Sequence, residues 1–159
     1  MAQKSLAVAK YILDRQSKKN DTVTPMQLIK LAYIAHGFAL GTLGRALLDE
    51  EVEAWAYGPV VRSIYKAVAG TGSRPVKHIN GAPEQFDQCL LPHEMKILDY
   101  VCDTYGNIPA FTLSNATHKE STPWDITMKK IGGYYPVISD DLIEQFYKDQ
   151  VIGKTHDRL

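Results

Sequence analysis

Cysteine is scarce: the 159-residue chain has two, Cys89 and Cys102. Two thiols in a chain of this length make no disulfide framework. Neither sign of charge prevails, since 18 Lys and Arg stand against 18 Asp and Glu. A dedicated nucleic-acid binder carries a basic excess for phosphate contacts, so a nucleic-acid partner is not expected. No run of ~18 apolar residues is long enough to cross a bilayer. The N-terminus carries Lys4, Lys10 and Asp14 in place of an apolar leader segment, so a cytoplasmic, reducing location without a membrane partner is the expectation. Internal repeats and low-complexity segments are also missing. Gly153-Lys154-Thr155 mimics the end of a phosphate loop, but Lys148 stands where that loop needs glycine. His93-Glu94 opens like a zinc-protease helix, but Ile97 occupies the second histidine position. Cys89, His93, Cys102 and His118 match no compact ligand spacing. No metal and no cofactor are therefore expected.

What is present is helical periodicity punctuated by proline. Proline is tolerated at the first helical position, because that N–H has no partner inside the helix. Apolar-periodic stretches begin at Pro25, Pro59, Pro92 and Pro123, and Pro109 marks a possible fifth. A first helix over 4–17 places Leu6, Ala9 and Leu13 on one face, with Val8 and Ile12 beside them. The second has the clearest start: Thr24 as N-cap, Pro25 next, and Gln27 completing a capping box, with Val23 and Leu28 spaced as a hydrophobic staple. From Met26 to Leu40 it is apolar nearly all round, which suits the middle of a bundle. Val52, Ala54 and Ala56 alternate with Glu53, Trp55 and Tyr57, the period of a short strand that Val76–Ile79 could pair with. A short helix is expected between Gly58 and Gly70, with Val60, Ile64, Tyr65 and Val68 inward, followed by a loop region over 70–91. Further helices are expected over 92–105, with Cys102 buried and Gly106 as its cap, around 109–117, and from Pro123 to a break at Gly132-Gly133. Ser139 caps the last one, whose inner face is Leu142, Ile143, Phe146 and Tyr147. The expected fold is mainly α: a compact helical bundle forming one domain over 1–152, with a small β-hairpin or sheet at one edge. Residues 153–159 form a tail that should fray.

The polar residues in apolar surroundings mark the candidate sites. Lys30 sits in the most apolar helix. Its stem either packs while its head reaches water, or it pairs with a carboxylate, with Glu53 as the named partner. His36 on the same helix reads as a half-buried helix-end residue. His118 with Glu120 and Asp125 resembles an acid–base set, but Ser114 and Ser121 lack the context of an activated nucleophile. The plainer reading is that His118 hydrogen-bonds the turn leading to Trp124. Trp55, Tyr57 and Trp124 are either core residues or binding anchors.

Three blocks then carry a family resemblance: Met26-Gln27-Leu28-Ile29-Lys30-Leu31-Ala32-Tyr33-Ile34-Ala35-His36-Gly37; Glu53-Ala54-Trp55-Ala56-Tyr57-Gly58-Pro59-Val60-Val61; and Leu113-Ser114, Thr117-His118 and Pro123-Trp124. Over about residues 5–150 the chain resembles the Panacea domain family of SocA-like and GepA-like phage-associated antitoxins. His36 stands where that pattern more often has glutamine. The resemblance implies a non-enzymatic, cytoplasmic antitoxin, encoded beside its toxin or on a prophage, that neutralises the toxin by binding it. The alternative it implies is an adaptor that delivers the toxin to a host protease, or a phage regulatory protein using the same surface. A hydrolase around His118 and a DNA-binding autoregulator are weaker rivals. Gln27, Lys30, Glu53, Trp55, Tyr57, Gly58, Pro59, His118, Pro123 and Trp124 match motif positions. Whether they face the partner or hold the fold stays open from the motif.

Overall fold

The computed structural model describes residues 3–85 and 88–152. Helix α1 covers Gln3–Lys18 and α2 covers Pro25–Leu43. A hairpin follows, β1 Val52–Trp55 and β2 Gly58–Val61, and β2 runs directly into α3, Arg62–Ala67. After a long loop come α4 Pro92–Tyr105, α5 Ala110–Thr117, α6 Pro123–Lys130, the two-residue β3 Val137–Ile138, and α7 Asp140–Ile152. The fold is mainly helical with a small antiparallel sheet, as expected. The tail beyond 152 and its Gly153-Lys154-Thr155 triplet lie outside the described residues.

Helix α2 is the centre. Every residue from Leu28 to Leu40 is buried, and the helix packs on α1, α4, α5, α7 and β2. Its start is fixed by the expected capping box: the Gln27 N–H donates to Thr24 Oγ1 at 3.3 Å, and the Thr24 N–H donates to Gln27 Oε1 at 3.0 Å. The Gln27 amide also donates to the Ile108 carbonyl at 3.0 Å, tying this end to the α4–α5 connection. Two glycines let α7 approach closely. A Cβ on Gly37 would collide with the Tyr147 ring, and one on Gly41 would lie 2.9 Å from the α7 backbone at Tyr147 and Lys148.

His36 departs from its expectation. It is fully buried in the middle of α2. Its Nδ1 accepts from the Leu47 and Leu48 N–H groups at 3.3 and 3.2 Å, so the ring proton sits on Nε2 and is donated to Asp140 at 2.9 Å. One imidazole thus satisfies the loop after α2 and the start of α7. It is apolar on its flanks and polar at its tips, which is why a central helix tolerates it.

The sheet also differs from its expectation. Strand order is β2-β1-β3, with Trp55 opposite Gly58, Val52 opposite Val61, and Val52 opposite Ile138. Segment 76–79 is not a strand; Val76 instead donates its N–H to the Val23 carbonyl at 2.8 Å. The reason is local. Gly58 adopts φ +114° and reverses the chain after two residues, so the contiguous segment pairs first. Pro59 consequently lies in a strand and does not start a helix. It is tolerated there because β2 is a sheet edge. Val60, Ile64 and Val68 point inward as expected, but Tyr65 is 46% exposed.

Candidate partner-binding site

The turn between β1 and β2 is gripped from behind. The Trp124 indole N–H, from the first turn of α6, donates to the Trp55 carbonyl at 2.7 Å. The Ser114 hydroxyl, on α5, donates to the Tyr57 carbonyl at 2.7 Å. The Lys30 ammonium, on α2, donates to the Pro59 carbonyl at 2.8 Å. Three helices therefore each satisfy a carbonyl along the segment from Trp55 to Pro59, leaving the backbone there little freedom. Gly58 is required twice over: its φ is +114°, and a Cβ there would lie 3.1 Å from both Lys30 Nζ and Thr117 Oγ1.

His118 belongs to this support. Its Nδ1–H donates to the Ser114 carbonyl at 2.6 Å, and its ring meets Trp124 edge-on with centroids 5.1 Å apart. The hydrogen bond goes back along α5, not to the turn before Trp124. Asp125 is held by the Ser121 N–H and by Lys129, both at 3.0 Å. The acid–base set is thus not assembled: Asp125 is occupied elsewhere, and among the described residues no carboxylate is hydrogen-bonded to His118. His93 likewise is engaged with Arg45 at 3.1 Å, and Cys102 is buried in the core. Among the described residues no three His, Cys, Asp or Glu side chains gather where a metal could be held.

The expected Lys30–Glu53 pair is not formed. Glu53 accepts from Arg62 at 2.8 Å and from the Trp55 indole N–H at 2.9 Å. Glu53 and Trp55 share one face of β1, where Arg62 and the Trp55 indole occupy the carboxylate, while α2 packs on β2 and brings Lys30 to the Pro59 carbonyl. Lys30, 2% exposed, is left with a carbonyl and no carboxylate. Burial pushes its ammonium down to about 7.

In front of the gripped turn lies an aromatic face. Tyr135 stacks on Trp55 with centroids 4.3 Å apart and planes 15° apart, and Tyr134 stacks on Tyr135 at 5.2 Å. Tyr65 meets Trp55 edge-on at 4.8 Å. The Arg62 guanidinium sits 5.3 Å above the Trp55 ring and 5.8 Å from that of Tyr135. Tyr135 holds φ +49°, uncommon for a bulky residue, and its stacking on Trp55 offsets that strain. Tyr134 is 93% exposed and Tyr57, at the turn, 68%. Between this face and the start of α2 runs a groove of about 430 Å³ whose lining includes Met26, Ile29, Lys30, Tyr57, Val60 and Tyr65.

The motif positions therefore divide. Lys30, Gly58, Pro59, His118 and Trp124 hold the hairpin; Glu53, Trp55 and Tyr57 stand at its outer side. A model for the SocA-like antitoxin family, Panacea domain, matches residues 28–125, the stretch containing both groups. The chain is also 32% identical to Antitoxin SocA of Caulobacter vibrioides (strain NA1000 / CB15N), over 92% of this chain and 84% of that protein. The chain belongs to the Panacea-domain family of SocA-like antitoxins. No solved structure matches it. Within this Panacea-domain chain, sequence reasoning missed Arg62, Tyr134 and Tyr135, read Tyr65 as inward, and placed Ser114 in a motif block without its role as donor to the Tyr57 carbonyl. The adjacent tyrosines between Gly132-Gly133 and Pro136 carried a usable signal: two large rings held between chain-turning residues.

Among the described residues no helix is long and apolar enough to cross a membrane.

Proposed function

We propose that this chain neutralises a toxin protein by binding it directly, without catalysis, through the aromatic face beside the hairpin. The observation that carries the reading is the combination of exposed tyrosines with a backbone clamped from three helices. Tyrosines give large contact area with few rotors, and a clamped turn loses little entropy on docking. Tyr57, Tyr65, Tyr134 and Tyr135 are the contact residues in this proposal, with Trp55 and the Glu53–Arg62 pair beneath and beside them. Gly58, Pro59, His118 and Trp124 act through the hairpin they support; Lys30 supports it as well and also lines the groove beside it. The toxin and this protein meet in the cytoplasm, and nucleic acid plays no part in the encounter. Family membership and the likeness to Antitoxin SocA support the assignment of a toxin as the partner.

The test is co-expression with the protein encoded beside this one. The proposal expects growth rescue and co-purification of the two chains. Rescue without co-purification would contradict neutralisation by binding, and no rescue would contradict the antitoxin role itself.

A further inference from the structure

Resting on that reading, the groove beside the hairpin narrows the chemistry of the partner. Its walls are Met26, Ile29 and Val60 with the rings of Tyr57 and Tyr65, and among the described residues the one charged side chain lining it is Lys30. That amine has three donor positions and, among the described residues, one hydrogen-bond acceptor, the Pro59 carbonyl at 2.8 Å. Among the described residues no carboxylate lies within salt-bridge distance of it, and Glu53 is already engaged by Arg62 and Trp55. A buried ammonium without a counter-ion is costly, and an arriving carboxylate offsets part of that cost. An amide of the same shape does not.

We propose that this groove receives a segment of the partner protein that carries a carboxylate between apolar side chains, with the Lys30 ammonium as the cation it meets. The apolar side chains fill the groove against Met26, Ile29 and Val60. With one N–H on the Pro59 carbonyl, the ammonium can keep that bond and offer its remaining donors to the incoming group. A phosphate-bearing partner is disfavoured, because the groove offers one cation and apolar walls. The pairing gives discrimination as well as affinity: an apolar segment without the carboxylate enters the groove but leaves the amine unpaired.

The test uses the full chain and three five-residue peptides. The first is alanine-leucine-glutamate-leucine-alanine with both ends blocked. The second has glutamine for the glutamate. The third is the glutamine peptide with a free C-terminal carboxylate. Titrations are followed on the Lys30 side-chain NMR signals, assigned with the Lys30→Met variant. The proposal expects a carboxylate peptide to bind about tenfold or more tightly than the blocked glutamine peptide, as a charge-assisted contact implies. The Lys30 signals should move toward those of a protonated ammonium. Preference for the first peptide assigns the carboxylate to a side chain, and preference for the third assigns it to a chain end. In Lys30→Met the preference should vanish. Equal affinities, no saturable binding by any peptide, or a preference that survives Lys30→Met would each overturn the proposal. Should that variant not fold, the wild-type Lys30 signals decide alone: no movement with either carboxylate peptide overturns it. Growth rescue is scored separately. Rescue without carboxylate preference removes this inference and leaves the antitoxin reading standing. Carboxylate preference without rescue does the reverse.

Discussion

Replacing Lys30 by methionine isolates the energetic consequence of an amine buried without a carboxylate. Burial alone lowers this ammonium from 10.5 to about 7. Between those two values the unfolded chain binds the extra proton and the folded chain does not, so the group's contribution to stability rises with pH. The slope approaches about 1.4 kcal/mol per pH step across the middle of that window. At pH about 7 the unmet desolvation amounts to roughly 4 kcal/mol. Methionine keeps the stem and removes the charge, but it leaves the Pro59 carbonyl without its donor, a loss of about 1–3 kcal/mol. Lys30→Met should therefore be the more stable protein by roughly 1–3 kcal/mol near pH 7, with the two curves crossing near pH about 9. Urea melts of both proteins at several points from pH about 7 to about 9.5 measure it. The difference between the two should change by about 2–3 kcal/mol across that range. Taking the difference matters, because burial also pushes the Cys102 thiol and the Tyr11 phenol up to about 12. Those groups stay protonated in the folded state while the unfolded chain loses their protons, so stability falls above pH ~9–10 in both proteins alike. A stability difference that stays flat with pH would refute the account of Lys30 as a buried, unpaired base.

Further outcomes follow from the packing. Gly41→Ala places a methyl 2.9 Å from the α7 backbone, so a denaturant melt should show a loss of about 1–3 kcal/mol, and no loss would mean that α2 and α7 are not in close contact. Trp124→Phe keeps the ring and removes the donor to the Trp55 carbonyl. Hydrogen exchange should then quicken in the hairpin more than in α4, and uniform quickening would deny Trp124 its part in the clamp. Of the two thiols, Cys102 is buried and Cys89 half-buried. A thiol reagent should label Cys89 at once and Cys102 only on unfolding, because burial holds Cys102 as the unreactive thiol; early labelling of Cys102 would place it outside the core.

The helices were legible because their signals are local. Thr24-Pro25 with Gln27, Pro92 with Gly106, and Thr122-Pro123 each mark a boundary that the structure reproduces within a residue or two. The centrality of α2 was legible from its all-round apolarity. Pairings between distant segments were not. Nothing in the period of Val52–Tyr57 says whether its partner is the next four residues or a segment eighty residues on, and both Gly58–Val61 and Val137–Ile138 supply one. The Lys30–Glu53 pair failed for a related reason. Helix α2 packs on β2, the neighbouring strand, so Lys30 reaches the Pro59 carbonyl, while Glu53 is taken by Arg62 and the Trp55 indole. Of the candidate site, the blocks from Glu53 to Pro59 and from His118 to Trp124 were seen to belong together; their division into clamp and outer face needed the carbonyl acceptors, which a sequence does not display.

The most direct test of the central claim is the affinity of the purified chain for its co-encoded partner, measured by calorimetry with wild type and with Tyr57→Ala. Tyr57 is 68% exposed and takes part in the clamp through its backbone carbonyl, so the variant should melt as wild type does. An interface anchor of this kind is worth at least about 2 kcal/mol, so affinity should fall by roughly thirtyfold or more. Unchanged affinity in a normally folded Tyr57→Ala protein would contradict the assignment of the partner to this face.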